Sequence, residues 1–383
     1  MTEKQNRRTV SSSTAAGRDR AKKSDGYTSN FTISPVETQQ WTINDTNTLL
    51  DAVRRYRAAG LDVIPDHIEN KYPVGFTGWE TRQFTEQEIV DKIRSGQYGI
   101  GVRNVLGLDF DLKGHPDDAA MFGKWKELVD DAVPVLVNKL LIEQSRSGGF
   151  HVVWRCRETF GNLKLAYRLP TPDELTKNPK SKKTCIIETR GIGGQFMIAP
   201  SPGYVVIQGD WTALQEITAE EQSCLLSCAK SLNRVPDSVA TSTNGATRPG
   251  DLFNETGGDE AYNLLLRSGW SEFRKSNGAT YLTRPGKDRG VSATYGYVAK
   301  NVLYVFSSNA SPFEAEKAYS PFAIKTMLEY DGDYSAAAKD LIKRPEIKQR
   351  LPETNGTGPA ARRDSTWPYL ADRGQTLYQK TGK

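Results

Sequence analysis

One short stretch, Val105–Leu–Gly–Leu–Asp–Phe–Asp–Leu–Lys113, constrains the fold of this chain more than any other. Large apolar residues alternate in it with glycine and aspartate, and a period of two predicts a β-strand. The apolar side chains would pack into a core on one face, and Asp109 and Asp111 would lie side by side on the other. Two carboxylates this close repel each other, and a bound divalent cation would relieve the repulsion. The stretch therefore predicts a buried strand that carries a candidate site for phosphoryl or nucleotidyl chemistry.

The Asp-x-Asp pattern alone is weak evidence for such a site. The chain carries a second copy, Asp331–Gly–Asp333, in a stretch whose composition predicts a turn. The first pair also fails the pattern of an EF-hand calcium loop, because Lys113 and Ala120 stand where that loop needs oxygen ligands. A solvated strand edge is therefore the alternative, and the pair needs partners elsewhere in the sequence.

Composition excludes several classes of protein. The 383 residues leave room for two domains and tails, and 51 Lys and Arg against 46 Asp and Glu give a net charge of +5. That mild excess permits nucleic-acid binding without requiring it. No apolar run is long enough to cross a membrane, and neither a secretory signal nor an ATPase P-loop motif appears. We therefore expect a cytoplasmic protein with no membrane partner.

The metal-binding residue types argue against zinc. The four cysteines form no Cys-x-x-Cys pair, and the three histidines are not spaced to complete a zinc site. We expect a reduced protein without zinc.

Changes of composition divide the chain into five segments. Residues 1–40 are basic and rich in Ser and Thr, which predicts a disordered tail, either a solubilising segment or an electrostatic tether for nucleic acid. Residues 41–235 alternate predicted helices and strands, which is typical of an α/β (α+β) fold around a mixed sheet. A linker at 236–250 separates them from a smaller α+β module at 251–344, and a disordered tail is predicted for 345–383.

A glycine-rich turn follows the acidic strand in the sequence. It runs Ser145–Arg–Ser–Gly–Gly–Phe–His151 and leads directly into a predicted strand. Paired glycines let backbone N–H groups approach an anion closely, and a histidine at the end of such a turn can donate to a triphosphate. The alternative is an ordinary hairpin turn with a surface histidine.

A third carboxylate occurs in the strand Cys185–Ile–Ile–Glu–Thr–Arg190. Glu188 and Arg190 share one face of this strand. A third acid would allow two metal ions to be bridged, as in-line nucleotidyl transfer requires, and the arginine could hold a phosphate through two hydrogen bonds. The alternative is a simple Glu–Arg pair on the surface.

The three motifs occur in a distinctive order: Asp-x-Asp after an apolar strand, Ser-Gly-Gly-x-His, and Ile-Glu-x-Arg-Gly. In that order they resemble the archaeo-eukaryotic primase superfamily, in the primase-polymerase (prim-pol) branch that is common in phages and plasmids. The resemblance covers roughly residues 45–207. It implies an RRM-like sheet joined to an N-terminal α/β unit.

The resemblance also implies one site for a metal-bound incoming nucleotide. Its catalytic residues would be the acids Asp109, Asp111 and Glu188, which would bind two Mg²⁺ or Mn²⁺ ions, together with His151. Glu188 stands where many relatives have Asp. The residues expected to contact the nucleotide are Ser147, Gly148, Gly149, His151, Arg190 and Lys71.

The second module resembles segments that follow the catalytic domain in phage primases, notably at Trp270, Arg284–Pro–Gly–Lys287 and Leu303–Tyr–Val–Phe306. Relatives often continue into a helicase, which implies a separately encoded helicase as a partner here. Basic side chains in this module and in the predicted loop 170–183 could grip a template backbone, and solvated charged surface is the alternative. These residues are Arg284, Lys287 and Arg289, and Lys180, Lys182 and Lys183.

Together these features predict a template-dependent DNA primase and DNA polymerase. It would make and extend primers on single-stranded DNA from NTPs or dNTPs. One alternative is a gap-filling or translesion polymerase that cannot start chains. The other is a non-catalytic DNA-binding module for replication initiation.

Overall fold

A computed structural model of the chain describes residues 43–112, 116–235 and 248–351. All of them belong to one compact unit. The tail predicted for 1–40 and most of the linker predicted for 236–250 lie outside the described residues. None of the helices described has the length and apolar character needed to span a bilayer.

Eleven α-helices are described in these ranges. They are α1 Ile43–Ala58, α2 Glu86–Arg94, α3 Pro116–Ala119, α4 Met121–Ala132, α5 Pro172–Lys177, α6 Ala219–Lys230, α7 Pro249–Thr256, α8 Gly258–Arg267, α9 Pro321–Glu329, α10 Tyr334–Leu341 and α11 Pro345–Lys348. Short 3-10 helices cover Val137–Lys139 and Trp211–Ala213.

Fourteen strands accompany them in the described chain. They are β1 Asp62–His67, β2 Tyr98–Arg103, β3 Leu106–Phe110, β4 Leu141–Gln144, β5 Phe150–Trp154, β6 Lys164–Arg168, β7 Thr184–Arg190, β8 Gln195–Ile198, β9 Val205–Gln208, β10 Ser271–Ser276, β11 Ala279–Thr283, β12 Ala293–Tyr295, β13 Leu303–Val305 and β14 Lys317–Tyr319.

The central sheet has six strands in the order β6–β7–β3–β5–β4–β9. Every pairing between these strands is antiparallel, so the predicted mixed sheet is wrong in this detail, whereas the α+β class of the fold is confirmed. The reason is that β4 and β5 form a hairpin whose second strand also pairs with β3. Strands β3 and β4 run in the same direction on either side of the crossover helix α4, but the return strand β5 lies between them.

Strand β3 lies between two cores, and the burial of its apolar face confirms the prediction. Leu108 and Phe110 are fully buried against the layer that α4 and α6 form, where Trp125 packs on Phe110. The opposite face meets the three-stranded sheet β1–β2–β8, which with α1 and α2 forms the N-terminal α/β unit. Gly107 permits that approach, because a Cβ there would lie 2.6 Å from the Val152 carbonyl oxygen and 3.0 Å from the Phe196 ring.

The basic segment 170–183 differs from the expected open loop because it contains helix α5. Thr171 accepts a hydrogen bond from the Glu174 backbone N–H, and the Glu174 side chain accepts one from Thr171 in return. Pro172 stands in the first turn, where a missing N–H costs nothing. This capping box starts the helix. The segment was predicted to be a loop because its composition is rich in Lys and Pro.

The C-terminal module holds an antiparallel sheet, β10–β11–β12–β13–β14, together with helices α7 to α11. The second Asp-x-Asp pair lies in the turn predicted for it, where Asp331 has a φ of 48° and Asp333 caps α10. Helix α11 falls within the range 345–383 that was predicted to be disordered, and Ile347 in it is buried. The order there comes from packing on Leu252 and Phe253 of α7, a tertiary contact that local composition does not reveal. Residues 352–383 lie outside the described chain.

Candidate active site

The acidic strand and both further motifs meet in one row across the central sheet. Asp109 on β3 pairs directly with Glu188 on β7 and with His151 on β5. Residues that pair directly across antiparallel strands point to the same face. The row lies on the face toward the N-terminal α/β unit, since the β3 residues beside Asp109 are buried in the opposite core. Three segments far apart in sequence therefore contribute neighbouring side chains.

Asp111 lies two residues beyond Asp109, just past the end of β3. Its backbone N–H donates to the Ile186 carbonyl oxygen at 3.0 Å, which continues the pairing with β7. Its side chain is half-buried. The extended backbone brings Asp111 to the same sheet face as Asp109, as the alternation predicts.

Asp109, Asp111, Glu188 and His151 together form an acidic row, and Arg190 supplies positive charge to it. Its Nη2 atom donates to Glu188 Oε1 at 2.7 Å and to Asp109 Oδ2 at 3.3 Å. Burial raises the pKa of Glu188 above its usual value; the charge of Arg190 opposes this rise and that of Asp109 adds to it. The predicted Glu–Arg pair thus exists, and it includes Asp109 as well.

His151 lies between two carboxylates. Its Nδ1 atom is 3.0 Å from Glu143 Oε1, and its Nε2 atom is 3.9 Å from Asp109 Oδ1. The rings of Phe196 and Tyr204 flank the imidazole, with centroids at 4.7 and 5.8 Å. The histidine is almost completely buried, so the alternative of an ordinary surface histidine does not hold.

Two further residues extend the acidic row across the sheet, and the sequence analysis predicted neither of them. Glu143 on β4 pairs with His151, and Lys164 on β6 pairs with Glu188. The signal for Glu143 was an acid inside an apolar strand, Leu140–Leu–Ile–Glu143. Lys164 is exposed and carries no comparable signal; its charge also opposes the rise in the pKa of Glu188.

The two glycines of the turn between β4 and β5 are required by the backbone itself. Gly148 has a φ of +81°, and its N–H donates to the Ser145 carbonyl oxygen at 2.9 Å. A Cβ on Gly149 would overlap the carbonyl oxygen of Phe110. Ser147 is half-buried, with its hydroxyl 3.4 Å from that of Ser145. The turn therefore packs against the end of β3, beside the two aspartates; nucleotide contacts from it stay a prediction.

Lys71 lies in the loop after β1 with its side chain exposed and a φ of 58°. Its carbonyl oxygen accepts a hydrogen bond from the Gln195 side chain at the start of β8. The structure describes no ion pair between the Lys71 ammonium and the acidic row. A substrate contact by Lys71 also stays a prediction.

The basic residues predicted to hold a template are dispersed. Lys180 and Lys182 are exposed, whereas the Lys183 ammonium lies 3.9 Å from the centroid of the Tyr167 ring. Arg284 Nε donates to the Ser307 hydroxyl at 3.2 Å.

The other two basic residues of the turn after β11 are also engaged within the protein. Lys287 donates to the Val291 carbonyl oxygen at 3.3 Å, and burial lowers its pKa. Arg289 donates to the Asp131 carbonyl oxygen near the end of α4. Several of the predicted template contacts thus also support packing.

The donors of the row suit a hard divalent cation in their chemistry. Asp109, Asp111 and Glu188 offer only carboxylate oxygens, the ligands that Mg²⁺ and Mn²⁺ prefer. The guanidinium of Arg190 lies between Asp109 and Glu188, so these acids already attract a positive charge to this position. Over the ranges 43–112, 116–235 and 248–351, no three His, Cys, Asp or Glu side chains are already grouped as ligands. The fit is therefore one of donor chemistry alone, and a cation at this position would have to replace the charge of Arg190.

No curated protein sequence matches the chain. Residues 53–220 match the family model described as "Bifunctional DNA primase/polymerase, N-terminal". The match runs from within α1 into α6, so it includes the N-terminal α/β unit, the central sheet and every residue of the acidic row. The resemblance inferred from the three motifs is confirmed: residues 53–220 match the bifunctional DNA primase/polymerase (prim-pol) family as an N-terminal domain of that family.

Proposed function

We propose that this protein is a template-dependent nucleotidyltransferase that synthesises primers on single-stranded DNA and extends them. The observation that carries the proposal is the row Glu188–Asp109–His151, built from three adjacent strands on one sheet face. Three acids could hold the two metal ions of an in-line transfer, and the arginine and histidine beside them could bind the triphosphate.

Each residue of the row has a role in this proposal. Asp109, Asp111 and Glu188 would hold Mg²⁺ or Mn²⁺, which when bound neutralises charge on the triphosphate and the leaving pyrophosphate. His151 Nε2 would contact the phosphates, because it is the ring nitrogen on the acidic side. Arg190 would turn from the acids to a phosphate once a cation replaces its charge.

The cellular setting belongs to the same proposal. The protein would act in the cytoplasm during phage or plasmid replication, on a strand opened by a separately encoded helicase. The Ser147–Gly148–Gly149 turn and Lys71 would add contacts to the NTP or dNTP. Lys180, Lys182 and Arg284 would contact the template, and that binding should weaken as salt rises.

The test is primer synthesis on random single-stranded DNA, with ribo- and deoxyribonucleotides supplied separately and with each metal. Asp109→Asn and Asp111→Asn should each reduce synthesis on the order of 100-fold or more, because charge stabilisation in the transition state is lost. Asp333→Asn is the matched control, since it alters the other Asp-x-Asp pair and asparagine caps a helix equally well. It should leave synthesis unchanged.

The assay also separates the alternatives. Extension of a supplied primer without synthesis on bare template would indicate a gap-filling or translesion polymerase. Template binding without any nucleotide transfer by the unaltered chain would indicate a non-catalytic module. Full synthesis by the Asp109 and Asp111 variants would reject the site itself.

A further inference from the structure

The row of polar residues on the central sheet ends in a carboxylate that does not face the acidic site. Glu143 on β4 pairs directly with His151 on β5, on the far side from Asp109. Glu143 is 0% exposed. The imidazole therefore separates it from the three acids, and any effect of Glu143 on the site has to pass through His151.

A buried carboxylate is costly unless it is fully hydrogen-bonded, and Glu143 meets that condition. Its Oε2 atom accepts from the Ala199 backbone N–H at 2.7 Å and from Trp211 Nε1 at 2.9 Å. Both donors lie outside β4 and β5. They hold one oxygen of the carboxylate independently of the histidine, and the second oxygen is left to meet His151 Nδ1 at 3.0 Å.

This contact determines which ring nitrogen faces the site. An ionised carboxylate can only accept, as Glu143 Oε2 already does twice, so with Glu143 ionised the proton of the contact is carried by His151 Nδ1. Whatever the charge of the ring, Nε2 is then the atom presented toward Asp109, 3.9 Å away. Phe196 and Tyr204 pack beside the ring, which leaves it little freedom to rotate.

We propose that Glu143 is a positioning residue that fixes the orientation and tautomer of His151 so that Nε2 addresses the nucleotide. The inference rests on the proposed nucleotidyl transfer for its effect on rate. Its structural part, the proton on Nδ1, can be measured without any reaction.

The decisive variant is Glu143→Gln, which keeps the size of the side chain. The amide oxygen can still accept from Ala199 and Trp211, and this turns the amide NH₂ group toward His151. Nδ1 must then accept, so the neutral ring has to move its proton to Nε2. The variant therefore reverses the tautomer of His151 and leaves the packing around the ring unchanged.

The tautomer can be followed by ¹⁵N NMR of histidine-labelled protein, because the whole chain has only three histidines. Loss of one set of signals in His151→Gln identifies the residue. We expect Nδ1–H in the unaltered chain and Nε2–H in Glu143→Gln. Asp118→Asn is the matched control: Asp118 is also a fully buried carboxylate, but it pairs with Arg168, and its loss should leave the His151 signals unchanged.

Kinetics supply the second readout. Glu143→Gln should lower kcat/KM for nucleotide on the order of 10- to 100-fold, by analogy with the loss seen when the partner that orients a metal-binding histidine is replaced. The double variant with His151→Gln should be no slower than His151→Gln alone, because the effect of Glu143 passes through that ring. Trp211→Phe, which removes one donor to the carboxylate, should give a smaller loss in the same direction.

The outcomes separate this inference from the proposed function. An unchanged His151 tautomer in Glu143→Gln, or a changed tautomer with unchanged kinetics, would overturn the positioning role. A loss of activity that adds fully to that of His151→Gln would also overturn it. An unaltered chain that makes no DNA would reject the proposed function, while the NMR result would still support or reject the fixed tautomer.

Discussion

Asp66 on β1 shows how a single buried group can set the pH dependence of the fold. It is 0% exposed, and within the described residues neither carboxylate oxygen has a hydrogen-bond partner. Its side chain lies over Gly101, which has no Cβ to compete for the space. Burial raises the pKa of Asp66 well above its usual value, and the charge of Arg103 only partly opposes this. Burial therefore favours the protonated form of Asp66 in the folded protein.

We expect Asp66→Asn to stabilise the protein at neutral pH. An unfolded aspartate releases its proton near pH 4, while the folded one retains it, so stability falls as pH rises from about 4 toward the raised pKa. Asparagine removes this dependence and should raise the free energy of unfolding at pH 7 by about as much as the unaltered chain loses between pH 3 and pH 7. Urea unfolding at several pH values measures it.

The gain should vanish below about pH 3, where both states of the unaltered chain are protonated. Asp333→Asn is the control, since Asp333 is exposed. A gain independent of pH, or a loss at pH 7, would contradict the expectation.

At the scale of elements, the turn between β4 and β5 depends on its packing against β3. We expect Gly149→Ala to destabilise the protein by about 1–3 kcal/mol, the usual cost of overpacking, because the new methyl group would overlap the Phe110 carbonyl oxygen. Phe110 lies between the two aspartates, so primer synthesis should fall as well.

The matched control is Gly123→Ala in α4. There a Cβ meets no atom within 4 Å. Alanine in a helix interior should instead stabilise by about 0.5–1 kcal/mol. Urea unfolding compares the two variants, and equal effects would show that the close approach to Phe110 is not the cause.

The elements also show what one sequence could and could not predict. Local alternation correctly predicted β3 and its buried face, because strand period and apolar content are properties of neighbouring residues. The sheet order was not predictable, since β5 lies between β3 and β4 only through distant pairing. For the same reason the pairing of Glu143 with His151 escaped, although each residue was visible in the sequence. Helix α5 was not predicted for another reason: the capping box at Thr171 is present in the sequence, but the Lys- and Pro-rich composition favoured a loop.

At the scale of the molecule, the two predicted domains share an interior. Tyr281 on β11 and Tyr304 on β13 are buried in the same core cluster as Leu225 and Cys228 of α6. The Asn233 side-chain amide donates to the Tyr304 hydroxyl at 3.1 Å.

Ion pairs reinforce this contact between the segments. Arg274 on β10 pairs with Glu127 and Asp131 of α4 at 2.6 and 2.7 Å. The predicted linker therefore marks a change of composition only, because the segments that it connects pack into one apolar core.

We therefore expect calorimetry to show a single unfolding transition for the residues on both sides of the linker. Tyr304→Ala should lower the free energy of unfolding by about 3–5 kcal/mol, the usual cost of removing a large buried ring, and shift the transition without splitting it. Tyr72→Ala is the same change at a tyrosine that is 44% exposed, and it should shift the midpoint far less. Two separate transitions, or a Tyr304 variant that moves only one of them, would show that the module folds independently. A single transition would mean that the two predicted domains unfold as one cooperative unit, as expected of a core that contains both Leu108 and Tyr304.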